Sequence, residues 1–204
     1  MKMKTTSSRG RPRSEAGKRA ILQAAVDLLE QRELPRITAE AIAGRAGVSK
    51  ATLYRWWPNK AAVIMDAFLQ ITAPNIAFEQ TLPVLERILD QMKKVARFYK
   101  SPAGRVFLAL IGESQFDSEL AQEFRERFVL SRRQVAAHAI QLAVEQGVFQ
   151  PNIDVETTLD TLYAPIFYRL LVGYGQVDDE FVERVAAQVF GGILIDKNSR
   201  EKGA

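Results

Sequence analysis

The sequence contains no cysteine and only one histidine, His138, in 204 residues. Without cysteine the chain has no disulfides, no thiolate metal ligands and no thiol nucleophile. A single histidine leaves little for a serine–histidine triad or a histidine-rich metal site. We find no glycine-rich loop of the kind that holds phosphates. This inventory argues against an enzyme, and it predicts neither a metal site nor a cofactor.

Long hydrophobic runs are also missing. The longest clear one covers residues 106–111, far short of the roughly 18 residues that span a bilayer. Residues 1–8 are charged and polar with no apolar stretch behind them, so we expect no secretory signal. Hydrophobic residues make up 47% and charged residues 25% of the chain, as in ordinary globular proteins. We therefore expect a soluble cytoplasmic protein that has no membrane partner.

Charge is unevenly distributed along the chain. Residues 1–60 carry 13 basic and 5 acidic side chains, so this segment has a net charge of +8. The whole chain is +4, which leaves −4 for the remainder. A basic first third followed by an acidic remainder is typical of a polyanion-binding module joined to a second domain. A solvated basic surface would give the same charge pattern.

Apolar residues recur at helical spacing, and no strand-like alternation follows residue 74. The spacing, caps and breakers predict helices over 14–34, 38–46, 49–57, 59–72, 81–100, 102–113, 118–146, 154–172 and 178–194. The fold class is therefore all-α, with about nine helices. We predict a flexible basic arm (1–13), a three-helix helix-turn-helix domain (14–60) and a larger helical bundle for ligand binding and dimerisation (61–204).

Residues 38–60 have the form of a helix-turn-helix, with two short helices joined by a turn at Gly47. The second helix has the composition of a helix that reads the major groove. Lys50, Ala51, Tyr54 and Arg55 lie near its N-terminal end, where base edges are contacted. Hydroxyl and amino donors in the motif are expected to hold phosphates; they are Thr38, Thr52, Tyr54 and Lys60. Ser49, which caps the second helix, is also counted among the predicted DNA contacts.

Residues 14–70 closely resemble the DNA-binding domain of the tetracycline-repressor (TetR) family of bacterial transcription regulators. The resemblance rests on the pattern T-x-x-x-I-A-x-x-A-G-V-S-x-x-T-L-Y over residues 38–54, followed by aromatic residues, proline and Asn59-Lys60. One departure is Trp56, where family members often have histidine. Since an indole cannot accept a hydrogen bond, Trp56 either donates one to a phosphate or loses that contact. The resemblance implies that variable positions such as Lys50 determine operator choice.

The basic arm contains Arg9, Arg11 and Arg13 in the order Arg-Gly-Arg-Pro-Arg. This segment resembles the AT-hook core, which lies in the narrow minor groove of A·T-rich DNA. Arginine side chains are attracted to the stronger negative potential of a narrow groove. We therefore include the three arginines among the predicted DNA contacts. A solubilising tail is the alternative.

The C-terminal part is expected to supply a dimer interface and a ligand site. Apolar residues recur through 155–170 and 181–194, more than one neighbouring helix can cover. The TetR resemblance implies a homodimer formed by the last two helices, and a small molecule bound in this domain that weakens DNA binding. Candidate ligand contacts are Phe98, Phe107, Ile111, Phe128, His138, Tyr163 and Phe167. Their aromatic character favours an apolar or aromatic effector, although aromatic residues at helical spacing also form ordinary cores.

Together these observations predict a sequence-specific regulator that binds double-stranded DNA as a homodimer. It would act as a repressor, released from a palindromic operator by a small molecule. Two alternatives remain open at this point. One is an activator or a regulator without a ligand, and the other is a nonspecific architectural DNA-binding protein, which the arginine arm would favour.

Overall fold

The computed structural model describes residues 15–31 and 34–195, with all their side chains except those of residues 74, 102 and 103. Nine helices and no strand occur in this part of the chain, which confirms the predicted all-α class. Within the same ranges, no helix combines the length and the apolar composition that crossing a membrane requires.

The helices follow the order that the sequence predicts. They are α1 (Glu15–Gln31), α2 (Ala39–Arg45), α3 (Lys50–Tyr54), α4 (Lys60–Thr72), α5 (Val84–Lys100), α6 (Pro102–Ser114), α7 (118–145), α8 (Val155–Val172) and α9 (Asp179–Ile193). Single 3₁₀ turns cover Leu34–Arg36 and Ala73–Asn75.

Side-chain caps explain where most of these helices begin. In seven helices the residue before the first turn accepts a hydrogen bond from a backbone N–H of that turn, over 2.6 to 3.1 Å. The capping residues are Thr38, Ser49, Asn59, Ser101, Asp117, Asp154 and Asp178. Each cap satisfies an N–H that has no partner within the helix. Ser14, the predicted cap of α1, lies outside the described residues.

Two predicted boundaries are wrong. The third helix ends at Tyr54 and not at Trp57, because residues 55 and 56 form a turn and Pro58 disfavours the α conformation in Trp57 before it. The fifth begins at Val84 and not at 81, because Pro83 disfavours the α conformation in Leu82 before it and itself stands as the cap of the helix.

Helix α7 contains one turn of π-helix. Its α-helical segments, Ser118–Phe124 and Ser131–Glu145, are joined through Arg125–Leu130, where the bonding is π-helical. Such single turns occur inside α-helices, frequently at functional sites. The hydroxyl of Ser131 donates to the carbonyl oxygen of Arg127 over 2.9 Å, which satisfies an acceptor in the altered turn.

Helix α4 packs against both α1 and the bundle. Phe68 of α4 is fully buried among aromatic side chains of α6 and α7. Its ring centroid lies 5.0 Å from that of Phe128 and 6.4 Å from that of Phe107. The predicted domain boundary at residue 60 therefore falls at the start of a helix that both groups of helices share.

The apolar residues of 155–170 and 181–194 mostly face the interior of the protomer. Leu162, Ile166 and Val182 are completely buried against neighbouring helices. These buried residues are covered within the protomer by α5 and α7, whereas Phe167, Val189 and Ile193 of the predicted surface remain partly exposed. The large apolar side chains that are exposed in this region are Tyr168, Leu171, Val172, Tyr174 and Leu194.

Candidate DNA-contacting surface and ligand cavity

A glycine turn sets the angle between α2 and α3. Gly47 has φ +66°, the left-handed conformation that side chains disfavour. The N–H of Val48 donates to the carbonyl oxygen of Ala43 over 3.0 Å, which closes the turn. Ile42 and Leu53, one from each helix, are completely buried beneath it. The apolar contacts between α2 and α3 therefore hold α3 in a fixed orientation.

The outer face of α3 carries the residues predicted to read bases. Lys50, Ala51, Tyr54 and Arg55 are all exposed, while Leu53 faces the core. Lys50 Nζ lies 2.5 Å from Oε1 of Glu40 on α2, and 5.8 Å from the centroid of the Tyr54 ring. The hydrogen bond from Lys50 lowers the pKa of the Glu40 carboxyl, and the same bond raises the pKa of the Lys50 amine. An acidic side chain of α2 therefore holds Lys50.

Three hydroxyl groups predicted to contact DNA take part in hydrogen bonds at the starts of α2 and α3, and two of them, Thr38 and Ser49, are caps. Thr38 Oγ1 accepts from the N–H of Ala41 over 3.1 Å. Ser49 Oγ accepts from the N–H of Thr52 over 3.1 Å and shares a further hydrogen bond of 2.9 Å with the Thr52 hydroxyl. A hydroxyl that accepts a hydrogen bond keeps its own proton to donate. Capping is therefore compatible with a phosphate contact by Thr38.

The two tryptophans have different environments. Trp56 is partly exposed, and Lys18 Nζ of α1 lies 5.3 Å from its ring centroid. Trp57 is buried, and its Nε1–H donates to Oδ2 of Asp66 on α4 over 2.6 Å. Lys60, also partly exposed, is the first residue of α4. Arg9, Arg11 and Arg13 lie outside the described residues.

A cavity of about 210 Å³ lies between α5, α6, α7 and α8. Four of the predicted ligand contacts line it: Phe107, Phe128, Tyr163 and Phe167. Their ring contacts are close, with centroids of Phe107 and Phe167 at 5.1 Å and of Phe107 and Phe128 at 5.7 Å. The sequence therefore identified much of the aromatic wall.

The other three predicted ligand contacts do not line this cavity. Phe98 is buried beside Tyr99, which does line it, because neighbouring helical residues point about 100° apart. Ile111 lies one turn beyond Phe107 and packs against the core outside the cavity. His138 is exposed, because Ala139 and Ile140 occupy the inner face of α7.

Sequence reasoning missed the polar side chains of the cavity. Gln91 and Tyr99 of α5 and Arg132 of α7 all line it. Gln91 could have been found, because it interrupts the apolar face of α5 between Ile88 and Val95. Arg132 carries no comparable signal, since an arginine in a long helix is usually solvated.

Burial determines the protonation state of Tyr99 and Tyr163, the two tyrosines that line the cavity. Burial raises the pKa of both the Tyr99 and the Tyr163 hydroxyl, so both stay neutral at physiological pH. The Tyr163 hydroxyl donates to Oε1 of Gln91, and Gln91 Nε2 donates to the carbonyl oxygen of Ile76 over 3.3 Å. This chain of hydrogen bonds satisfies Gln91 and Tyr163 from within the protein.

Asp66 connects the DNA-contacting surface with the π-turn of α7. One carboxylate oxygen accepts from Trp57, and the other accepts from Arg127, which lies next to the cavity residue Phe128. Arg127 also donates to Oε2 of Glu123 over 3.0 Å. A hydrogen-bonded path thus runs from the turn after α3 to the wall of the cavity.

No group of three or more histidine, cysteine, aspartate or glutamate side chains is placed to hold a metal ion within residues 15–31 and 34–195.

Family models match most of the chain. The model for the bacterial regulatory proteins of the tetR family matches residues 21–66, which include the whole helix-turn-helix. The model for tetracyclin repressor-like C-terminal domains matches residues 80–189, which include the cavity.

Individual proteins are similar over nearly their full lengths. The HTH-type transcriptional regulator YdeS of Bacillus subtilis (strain 168) is 42% identical over 92% of this chain and 94% of its own length. The DNA-binding transcriptional repressor TetR of Mycobacteroides abscessus is 25% identical over 87% of this chain and 93% of its own. The crystal structure of the TetR family transcription regulator SCO0332 matches with a TM-score of 0.75 and 32% identity, covering 89% of this chain and 100% of that one.

Proposed function

The chain belongs to the tetR family and is a helix-turn-helix transcriptional regulator, and we propose that it represses transcription from a palindromic operator until a small molecule enters the cavity. Members of this family are transcription regulators rather than enzymes, and they bind DNA as dimers. The observation that carries the proposal is the exposed outer face of α3, with Lys50, Tyr54 and Arg55 directed away from the core.

The arrangement of α3 supports direct contact with base edges. Its outer face combines a small residue, Ala51, with long hydrogen-bonding side chains, so the helix can approach the floor of the major groove. Thr38 and Lys60 flank it on either side and would contact phosphates. Five helical residues read few base pairs, so specificity requires a second copy of the motif on the same duplex.

A homodimer formed through α8 and α9 would supply that second copy. Tyr168 and Val172 of α8 are 57% and 58% exposed, and Tyr174 of the following loop is 50% exposed. Exposed apolar side chains on α8 and in the loop after it, together with Leu194 just after α9, are typical of a protein–protein interface. A two-fold axis there would pair α8 and α9 with their copies as a four-helix bundle.

The contact between the cavity and α4 supports release by a ligand. Phe107 and Phe128 line the cavity on one side, and both pack against Phe68 of α4 on the other. A molecule that moves these rings would also move α4, which begins directly after the helix-turn-helix. Such a displacement would change the separation of the two recognition helices in a dimer. The M. abscessus relative is a transcriptional repressor, which supports repression over activation.

The basic arm would add a minor-groove contact. We expect deletion of residues 1–13 to weaken binding mainly to operators with A·T-rich flanks, because arginine prefers a narrow groove. An equal loss of affinity for operators with G·C-rich flanks would show that the arm binds DNA only through its charge, without reading the minor groove.

Selection of duplexes from a random library by the purified protein tests the proposed operator. A specific dimer will recover one palindrome, with half-sites separated by about one helical turn or a multiple of it. Size-exclusion chromatography with light scattering should show a dimer before DNA is added. Recovery of unrelated sequences, all bound with the same salt dependence, would instead identify an architectural protein.

A reporter gene placed behind the selected operator then separates repression from activation. Loss of the regulator should raise expression from the reporter if it represses. A fall in expression would identify an activator. If no compound ever changes the operator affinity, the regulator acts without a ligand.

A further inference from the structure

The cavity between α5, α6, α7 and α8 holds two polar groups that make no hydrogen bond within the part of the chain that the structure describes. Arg132 lines the cavity and makes no hydrogen bond or ion pair with any residue in 15–31 and 34–195. The Tyr99 hydroxyl likewise has no hydrogen-bond partner within these ranges. Both groups can donate hydrogen bonds, and Arg132 also carries a fixed positive charge.

The neighbouring arginine provides the contrast. Arg133 also lines the cavity, but its guanidinium donates to Glu156 and to Asp160. Asp160 is the acidic side chain in the cavity wall, and it shares Arg133 with Glu156. The hydrogen bonds of Gln91 and Tyr163 are likewise completed within the protein. Arg132 is therefore the cation of the cavity wall that no carboxylate in the described part of the chain pairs with, and a bound anion could pair with it.

Arg132 of α7 and Tyr99 of α5 line the same cavity, Arg132 against the ring of Phe128 and Tyr99 against the ring of Phe107, and those two rings are in contact. The positive charge of Arg132 opposes the rise that burial causes in the pKa of Tyr99, which indicates that the two side chains interact. The guanidinium carbon of Arg132 lies 5.8 Å from the ring centroid of Phe128, so the charge sits against an aromatic wall. An anion at this position would be hydrogen-bonded by a guanidinium and by a neutral phenol.

The rest of the cavity suits an aromatic ring. Tyr99, Phe107 and Phe167 form its walls, with the Tyr99 and Phe107 centroids 4.2 Å apart and those of Tyr99 and Phe167 at 5.5 Å. Aromatic rings at such separations stack in offset or edge-to-face arrangements, and an added ring can do the same.

The volume limits the size of the occupant. A dry apolar cavity of about 150 Å³ accepts benzene, so the cavity here, at about 210 Å³, has room for one ring with a short substituent. Drug-sized compounds use pockets of about 300 Å³ or more. A compound of several rings would require the helices to move apart.

We propose that the effector of this regulator is a small aromatic carboxylate, with one ring among Tyr99, Phe107 and Phe167 and the carboxylate bound by Arg132 and the Tyr99 hydroxyl. This assignment rests on the proposed ligand response, since it names the class of molecule that occupies the same cavity. A planar carboxylate matches the two parallel donors of a guanidinium.

Isothermal titration calorimetry on the full chain tests this assignment with defined probes. Benzoate and 3-phenylpropionate are compared with benzamide and 3-phenylpropanamide, which have the same ring without the charge. Hexanoate supplies a carboxylate without a ring. We expect at least one of the two aromatic acids to bind about tenfold or more tightly than its amide and than hexanoate.

Three variants separate the roles of the side chains. Arg132→Met should weaken binding of the acid about tenfold or more and leave the weak binding of the amide unchanged. Tyr99→Phe, which removes only the hydroxyl, should lower the affinity for the acid by a smaller factor than Arg132→Met does. Arg125→Met removes an exposed arginine of the same helix outside the cavity lining and should change nothing. Circular dichroism on each variant shows whether it is folded.

Several outcomes would overturn the assignment. They are equal affinity for acid and amide, affinity for hexanoate equal to that for the aromatic acids, no binding of any probe, or an unchanged affinity of the folded Arg132→Met protein for the acid. Operator binding measured with and without the acid keeps the two proposals distinguishable. If the acid binds as expected but operator affinity does not change, the ligand class stands and release by the ligand is wrong.

Discussion

The indole nitrogen of Trp57 lies 2.6 Å from a carboxylate oxygen of Asp66, so the turn after the recognition helix is bonded directly to α4. The second oxygen of Asp66 accepts a hydrogen bond from Arg127 in the π-turn of α7. Three elements that are separate in the sequence therefore meet at one partly buried carboxylate. This contact joins the DNA-contacting surface to the helix that also forms a wall of the cavity.

Replacement of Arg127 should destabilise the protein measurably. The change Arg127→Met leaves Asp66 and Glu123 without their cation, and the partial burial of these groups increases the cost. Because the Arg127 side chain is 35% exposed, solvent reduces that cost, and we expect the free energy of unfolding to fall by about 1–2 kcal/mol. Urea denaturation followed by circular dichroism gives the value.

The matched control is Arg125→Met on the exposed side of the same turn. Its free energy of unfolding should stay within about 0.5 kcal/mol of that of the unchanged protein. Equal losses for the two variants would contradict the role of the ion pair.

Replacement of two glycines of the helix-turn-helix by alanine should change the free energy of unfolding in opposite directions. Gly44 lies within α2 with open space where a Cβ would stand, so Gly44→Ala should stabilise the fold by about 0.5–1 kcal/mol. Gly47 also has open space at the position of a Cβ, but its φ is +66°. Gly47→Ala should therefore lower the free energy of unfolding by about 1–2 kcal/mol, because alanine is strained in this conformation. Thermal unfolding of the two variants in parallel checks both signs. A stabilised Gly47→Ala protein would show that the turn does not need the left-handed conformation.

Lys60→Ala should reduce the salt dependence of operator binding. Each phosphate contact contributes about 0.9 to the slope of log affinity against log salt concentration, so a dimer that loses two contacts should lose about 2. Fluorescence anisotropy with the selected operator at several salt concentrations measures this slope. Lys100→Ala serves as the control, since Lys100 lies at the end of α5 beside the α8–α9 loop. An unchanged slope for Lys60→Ala would remove Lys60 from the predicted phosphate contacts.

The stability supplied by Asp179 should depend on pH. The hydrogen bond from Arg97 of α5 lowers the pKa of this carboxyl below its usual value of 3.8. A group with a lowered pKa in the folded state stabilises the protein above its unfolded pKa, and this contribution is lost as the pH falls through the folded value. Asp179→Asn should therefore lower the melting temperature at neutral pH and have little effect in strong acid.

Differential scanning calorimetry at neutral pH and below about pH 3 tests this expectation. Glu145→Gln removes an exposed carboxylate that makes no ion pair in the described part of the chain, and it should show no such dependence. A melting-temperature difference for Asp179→Asn that stays constant with pH would mean that the Arg97 pair is not its source.

Local signals in the sequence were sufficient for the secondary structure. The caps Thr38, Ser49, Asp154 and Asp178 act within one turn of their own helices, so their effect can be predicted without knowledge of the rest of the fold. The glycine turn and the apolar spacing of α2 and α3 are local in the same way. The all-α class, the order of nine helices and the helix-turn-helix could therefore be derived from the residues alone.

Only the tertiary structure decided which side chains share the cavity and which apolar residues face solvent. Phe98 and Tyr99 are adjacent in sequence, but the packing of α5 against α8 brings Tyr99 alone into the cavity lining. Asp66 and Arg127 are 61 residues apart, and helical spacing carries no information about a contact at that separation. The inward burial of 155–170 depends on α5 and α7 covering it, and the free donors of Arg132 and Tyr99 depend on which partners the fold places nearby. Periodicity specifies the face of a helix, whereas the neighbour of that face is set by the packing of all the helices together.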